Sequence, residues 1–154
     1  MRGEFQRADG LLMPNNLSLE GVRILLAAAC RNDVPTFYAG LVTGAPTPTM
    51  TLLDMVEPTV GVNGYQRIAI SRDAAGWPTQ GESGGERFIS TDWLTWVATG
   101  AGFDKPIQRV ALFDTNVVAS GNPVLALSAS IGDPLVITPD TPLMNRRFKY
   151  TLFA

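Results

Sequence analysis

The chain has 154 residues, a length that suits one domain with a single hydrophobic core. Apolar residues make up 45% of the chain, whereas charged residues make up only 17%, below the roughly 25% of an average soluble domain. A surface with so few charges is either rich in uncharged polar side chains or partly covered by other proteins. The net charge is −2 and lysine occurs only at Lys105 and Lys149, which excludes the clustered basic surface of a nucleic-acid-binding protein.

The residue types that carry much of enzyme chemistry are scarce. The chain has no histidine, which excludes Ser-His-Asp and Cys-His nucleophile activation and His-ligated zinc. The single cysteine, Cys30, leaves no intrachain disulfide and no cysteine metal cluster, and its apolar surroundings in the sequence predict a buried, inert thiol. We therefore expect a protein that is not an enzyme and that uses no cofactor and no metal.

The first residues, "MRGEFQRADGLLMPNN", contain acids and a Pro-Asn-Asn break where a signal peptide needs a continuous apolar run. No window approaches the ~18 consecutive apolar residues of a membrane span. We expect a protein that is made in the cytoplasm and that has no membrane partner.

In chain order, residues 1–16 are predicted to form an arm or irregular lead-in. A helix follows, with Ser18 as its N-cap, Glu20 in the first turn and Arg31 at the far end, where each charge suits the helix dipole. Its apolar residues repeat at intervals of three and four: Leu19, Val22, Leu25, Leu26 and Ala29. This stripe must pack either on the protein's own sheet or on a neighbouring subunit. Residues 1–35 are predicted as an N-terminal arm and helix.

The rest of the chain, residues 36–154, has the pattern of short strands separated by turn residues. Strands are predicted at 36–43, 65–71, 87–100 (with a bulge), 107–114, 124–130, 134–139 and 146–153. No helical crossover separates them, which favours an antiparallel β-sandwich of the jelly-roll kind. The polar, glycine-rich residues 72–86 are predicted as a mobile loop.

The stretch "DMVEPTVGVNGYQRIAI", from Asp54 to Ile70, brings two carboxylates, a tyrosine and an arginine together in the sequence. It is either a reacting constellation or a corner that leads into a strand. The corner is favoured, because Gly61 and Gly64 supply turn conformations and no carboxylate has an apolar setting that would raise its pKa. We expect Asp54 and Glu57 to face solvent or to cap backbone amides. Four apolar side chains are predicted to form a buried plug: Leu52, Leu53, Met55 and Val56.

The tryptophans are candidate contact residues. Trp93 and Trp96 lie three apart in a predicted strand, so one is expected in the core and the other at the surface. Trp77 lies in the glycine-rich loop, where an exposed ring would anchor an interface or stack on a sugar.

Four segments occur in a recognisable order: "GLVTGAPTP", "LLDMVEPTVGVNGYQRIAI", "WVATGAG" and "SIGDPLVIT". Over roughly residues 36–140 this order resembles a group of small tailed-bacteriophage virion proteins. Such proteins are β-sandwich structural components that decorate the head or belong to the tail. On this resemblance Leu53, Glu57, Gly64, Tyr65 and Arg67 are scaffold residues.

The resemblance implies a virion protein that decorates the capsid, with the major capsid protein or other virion proteins as partners. A homo-oligomer, a dimer or a trimer, is expected, with an arm or strand edge of one subunit completing a neighbour's sheet. The candidate partner-binding residues are Phe5, Leu11, Leu12, Trp77, Arg146 and Arg147. A tail, baseplate or fibre location is the alternative within this class. A carbohydrate- or receptor-binding module that uses Trp77 is the alternative outside it.

Overall fold

A computed structural model describes residues 2–7, 12–31, 36–83, 85–128, 130–140 and 144–152. The fold is mainly β, with one short helix and antiparallel strands, as the sequence predicts. The elements in chain order are β1 (Arg2–Arg7), β2 (Leu12–Leu17), α1 (Leu19–Arg31), β3 (Thr36–Val42), β4 (Ile68–Ser71), β5 (Thr79–Ser83), β6 (Glu86–Ser90), β7 (Leu94–Trp96), β8 (Arg109–Phe113), β9 (Ala126–Ser128) and β10 (Met144–Leu152). Two single 3₁₀ turns lie at Leu52–Asp54 and Val62–Gly64.

The strands of the described residues pair in the order β4-β3-β8-β9-β2-β1-β10-β6-β5, and β7 pairs with β10 beside β6. Strand β2 joins the two halves of this order, because Leu12–Pro14 pair with β1 whereas Asn15–Leu17 pair with β9. Strand β1 lies between β2 and β10, with Phe5 opposite Met13 on one side and Phe148 on the other. Residues predicted as an irregular lead-in are therefore strands that are hydrogen-bonded to the same chain.

Helix α1 begins where the sequence predicts. The Ser18 hydroxyl accepts a hydrogen bond from the backbone N–H of Gly21 at 2.9 Å, which is the contact of an N-cap. Gly21 explains how the helix docks, because a Cβ at this position would lie 1.9 Å from the carbonyl oxygen of Leu125. The helix therefore rests on the chain before β9 through its Gly21 side, and Ile24 on the same side is 4% exposed.

The main hydrophobic core joins both halves of the strand order. It combines Leu41 of β3 and Val110 of β8 with Trp96 of β7 and Phe148 of β10. A smaller cluster on the other side of β3 and β8 contains Val42, Met50 and Phe113. The strands β3, β7, β8 and β10 therefore share one core.

Several predicted strands differ from the observed ones. The segment 87–100 is interrupted at residues 91–93, where the hydroxyl of Thr91 accepts a hydrogen bond from the N–H of Phe148 in place of a backbone carbonyl. The prediction at 134–139 is wrong, because Leu135 pairs with Ile107 only as an isolated bridge. The loop prediction for 72–86 is wrong in part, since β5 lies within it. Strands β3, β8 and β10 match their predicted segments.

Candidate functional site

Three side chains of the stretch from Asp54 to Ile70 meet in the protein interior. The carboxylate of Glu57 accepts hydrogen bonds from Arg67 through Nε at 2.8 Å and through Nη2 at 2.7 Å, and from the hydroxyl of Tyr65 at 2.7 Å. The side chain of Arg67 is 0% exposed and that of Glu57 is 5% exposed. We call these three residues the Glu57 cluster. A two-point contact of this kind fixes the relative orientation of both side chains.

Two turns flank Glu57 in the sequence. Thr51 and Asp54 form a capping box around the first 3₁₀ turn, in which the carboxylate of Asp54 accepts the N–H of Thr51 at 3.0 Å. At the second turn Gly61 has φ 88° and Gly64 has φ 83°, conformations that glycine adopts without strain. The prediction that Asp54 caps backbone amides and that these glycines form a turn is confirmed.

The Glu57 cluster is anchored to strands that are distant in sequence. The hydroxyl of Tyr65 accepts the N–H of Leu41 at 2.9 Å, and Nη1 of Arg67 donates to the carbonyl oxygen of Thr115 at 2.8 Å. The Arg67 guanidinium lies over the ring of Phe113, with 3.8 Å between its Cζ and the ring centroid. The cluster therefore ties the corner to β3 and to the end of β8.

Strand β3 makes room for the cluster through Gly40. A Cβ at Gly40 would lie 2.9 Å from the Tyr65 hydroxyl oxygen, 3.0 Å from Oε1 of Glu57 and 3.0 Å from Cε2 of Phe113. An isolated glycine inside a predicted strand is a sign of a close approach, and this signal in "FYAGLV" could have identified the contact from the sequence.

The electrostatics of the cluster favour a structural role. Burial raises the pKa of the Tyr65 hydroxyl well above its usual value, and the charge of Glu57 raises it further. The phenol is therefore held neutral as a donor to Glu57. The expectation that Glu57 faces solvent or caps amides is wrong, because the arginine ten residues later supplies the charge that allows the carboxylate to be buried.

The surface carboxylates Asp73 and Asp104 act as turn residues. The Ser71 hydroxyl donates to Asp73 at 2.6 Å and lowers the pKa of that carboxyl, with further donation from the N–H groups of Gly76 and Ala75. Asp104 accepts from the hydroxyl of Thr59 at 2.6 Å, and this contact lowers its pKa in the same way. Both carboxylates fix local loop geometry.

The burial of the three tryptophans agrees with the prediction for Trp93 and Trp96 and differs from it for Trp77. Trp96 is 3% exposed and Trp93 is 36% exposed, which confirms one core ring and one surface ring. The prediction that Trp77 is exposed is wrong, because its side chain is 8% exposed and packs in the main core. The turn that begins at Asp73 directs it inward, with the N–H of Trp77 donating to the Asp73 carbonyl oxygen at 3.0 Å.

The other candidate partner-binding residues lie close together in the strand order. Phe5 in β1, Leu12 in β2, and Arg146 and Arg147 in β10 belong to three adjacent strands, and Gln6 pairs with both Leu12 and Arg147. Leu11 lies outside the described residues. The role of these residues in partner binding stays a prediction.

Helix α1 presents part of its predicted apolar stripe to solvent. Leu19 is 69% exposed, Val22 is 38% exposed and Leu26 is 53% exposed, while the side chains of Leu25 and Ala29 lie outside the description. Cys30 is also exposed, so the prediction of a buried thiol is wrong. The stripe is exposed because Gly21, through its close approach to Leu125, turns it away from the strands.

An open groove of about 250 Å³, lined by Leu17, Leu19, Pro46, Thr47 and Pro48, begins beside the first turn of the helix.

A second exposed apolar region lies at the first 3₁₀ turn. Leu53 is 78% exposed, and Val117 and Val118 in the neighbouring loop are 67% and 54% exposed. The two segments are joined by a hydrogen bond from the N–H of Leu53 to the carbonyl oxygen of Ser120 at 2.8 Å. We call these three side chains the Leu53 surface. The predicted burial of Leu53 and Val56 is therefore wrong, since the turn directs only Leu52 and Met55 inward.

Comparisons with known proteins leave the family open: no protein-family model matches the chain, and a search of curated proteins finds no match. Among the residues that the structure describes, no helix has the length and hydrophobicity needed to cross a bilayer. The same residues contain no group of three or more His, Cys, Asp or Glu side chains placed to hold a metal ion.

Proposed function

We propose that the protein is a structural component of a tailed-bacteriophage virion, with a β-sandwich body, that decorates the capsid by binding its outer lattice. The resemblance of its segment order to small virion proteins is one support. The chemistry of the Glu57 cluster is another, because its polar groups contact one another and the strands around them. Such a cluster stabilises a scaffold.

The Leu53 surface is the observation that carries the proposal. Three large apolar side chains on two adjoining segments are more than half exposed in a chain with only 17% charged residues. Grouped apolar side chains on a weakly charged surface favour a protein partner, and their burial stabilises a contact by about 25 cal/mol per Å². A lattice repeats such a contact many times, so a modest area per copy is sufficient.

Binding to capsids tests the proposal directly. The purified chain is mixed with empty capsids of the virion to which it is proposed to belong, and co-sedimentation and the melting temperature of the capsids are measured. We expect saturable binding and a raised melting temperature. Leu53→Glu should weaken binding at least about tenfold, because it places a charge in the contact.

The matched control is Leu135→Glu, since Leu135 is an exposed leucine on another segment. It should leave capsid binding unchanged. Absence of binding by the unaltered chain would overturn the decoration role. Binding to purified tails in place of capsids would assign the protein to the tail, the alternative within the same class.

A further inference from the structure

Asn63 has an unusual backbone conformation in the 3₁₀ turn that precedes Tyr65. Its φ of 48° and ψ of 35° are left-handed, and among the described residues it is the only one other than glycine with a positive φ. Asparagine is one of the few residues that tolerate this conformation. The next residue is Gly64, so the turn contains the only Asn-Gly pair of the chain.

An asparagine that precedes glycine can lose its side-chain amide without an enzyme. The backbone nitrogen of the glycine bonds to Cγ of the asparagine, and the Cγ–Nδ2 bond breaks as ammonia leaves with the proton of that nitrogen. Water then opens the resulting five-membered ring at either of its carbonyl carbons, which leaves aspartate or isoaspartate. Glycine favours the first step because it has no side chain to hinder its nitrogen.

The folded conformation keeps the reacting atoms apart. At ψ 35° the nitrogen of Gly64 lies nearly opposite Cβ of Asn63 across the Cα–C bond, because of the tetrahedral geometry at Cα. Ring closure requires a rotation about this bond until the nitrogen lies on the same side as Cβ. The N–H of Thr99 donates to the Asn63 carbonyl oxygen at 2.8 Å, and the rotation would swing that oxygen away. The side chain is held as well, since its Nδ2 donates to the carbonyl oxygen of Gly102.

We propose that Asn63 is a deamidation site that the fold holds closed and that reacts when the turn separates from residues 99–102. The substrate is the side-chain amide of Asn63, and the only co-reactant is water. Both contacts must be lost before the ring closes, so the reaction is confined to chains in which this corner has opened. It is a chemical change that closing the corner does not reverse. The proposal does not depend on the proposed function.

The product does not fit the closed turn. An aspartate side chain has no N–H to donate, so a carboxylate oxygen would face the carbonyl oxygen of Gly102. Isoaspartate also lengthens the backbone by a methylene group. The next residue, Phe103, packs edge-to-face on Tyr65 with 5.3 Å between the ring centroids. Loss of the Gly102 contact therefore loosens the corner that supports the Glu57 cluster.

The first test compares the folded chain with the chain unfolded in guanidinium chloride, both at the same mildly alkaline pH. Peptide mass mapping follows the conversion of the Asn63 amide to an acid. We expect the folded chain to react at least about tenfold more slowly, because only its opened fraction reacts. Equal rates in the two states would overturn the closed site. An unreacted Asn63 in the unfolded chain would overturn the site itself.

Asn116 is a control within the same samples. It is exposed, but it precedes Val117, whose branched side chain crowds the attacking nitrogen. It should stay largely unmodified in both states. A folded chain that reacts at Asn116 as fast as the unfolded chain reacts at Asn63 would show that exposure alone, and not the following glycine, sets the rate.

The second test measures what the reaction does to the fold, through the guanidinium unfolding midpoints of Asn63→Asp and Asn63→Gly. Both variants lose the donor to Gly102, but only aspartate adds a carboxylate beside the carbonyl oxygen, and glycine accepts the positive φ. We expect the lower midpoint for Asn63→Asp. A midpoint equal to that of the unaltered chain would overturn the misfit of the product. Neither test uses capsids, so both outcomes are independent of the decoration role.

Discussion

The ion pair of Glu57 and Arg67 illustrates how a charge becomes acceptable in a protein interior. Burial of either group alone would cost several kcal/mol in lost hydration, and the attraction between them offsets this cost only with good geometry. Here the guanidinium makes two contacts with the carboxylate and a third with the Thr115 carbonyl oxygen. The pair therefore specifies one arrangement of the corner. Removal of either charge leaves the other buried without a partner charge, which destabilises the fold.

We predict strong coupling between these two residues. Glu57→Leu leaves Arg67 as a buried unpaired charge and should lower the free energy of unfolding by about 3–5 kcal/mol. Arg67→Met should lower it by a similar amount, because it leaves the Glu57 carboxylate buried and unpaired. The double variant should lose clearly less than the sum of the two, because it leaves no unpaired charge. Urea unfolding of the four proteins measures the coupling, and additive losses would contradict a buried pair.

The buried hydroxyl of Tyr65 should make the folded state less stable at alkaline pH. Burial and the charge of Glu57 raise the pKa of its hydroxyl in the folded state, whereas in the unfolded chain the phenol ionises near pH ~10. The stabilising contribution is thus complete below pH ~10 and is lost as the pH rises toward the folded-state pKa, because only the unfolded chain releases the proton. Melting temperatures measured between pH 8 and 11 should fall more steeply for the unaltered protein than for Tyr65→Phe. Equal slopes would show that Tyr65 is not responsible.

At the scale of elements, α1 shows that packing can override intrinsic helix preference. An alanine in place of a solvent-exposed helical glycine stabilises a helix by about 1 kcal/mol. We predict the opposite sign for Gly21→Ala, a loss of about 1–3 kcal/mol in unfolding free energy, because the added methyl group meets the Leu125 backbone. Amide hydrogen exchange within α1 should also become faster.

The control for this prediction is Gly121→Ala, since a Cβ at Gly121 has nothing within 4 Å. It should change the unfolding free energy by less than about 0.5 kcal/mol. A stabilised Gly21→Ala variant would show that the helix does not depend on close approach to the strands.

The sequence predicts the ends of α1 and not the side on which it packs. Ser18 and Arg31 are local signals that act within one turn, so they are visible in the sequence. The apolar spacing groups Leu19, Val22 and Leu26 in one stripe. Whether that stripe faces the strands depends on Gly21 and Leu125, which are more than a hundred residues apart. The same limit applies to the Glu57 cluster: its residues lie within one short stretch, whereas its space comes from Gly40 in β3.

For the whole molecule, strands from near the two ends of the chain lie next to each other and link the two halves of the strand order. Strand β1, near the N-terminus, pairs with β10, near the C-terminus, and β2 continues to β9. Pairing between strands that are distant in the sequence cannot be read from the alternation of apolar residues. For this reason the sequence predicts an irregular start of the chain, where Pro and Asn residues occur. In the described residues the order ends at β4 and β5, and these strands, like β7, each pair with one neighbouring strand only.

A substitution in β1 tests how far the two halves of the strand order unfold together. Phe5→Pro removes a backbone donor from a strand that has a neighbour on each side, so it should weaken the ladder to β2 or β10. We expect faster amide exchange in β1 and β10 than in β3 and β8, which keep their own pairing. Phe5→Ala, which keeps the donor, separates the effect of the backbone from that of the side chain. Equal loss of protection in β3, β8 and β10 would instead mean that the core shared by Leu41, Val110 and Phe148 makes the molecule a single cooperative unit.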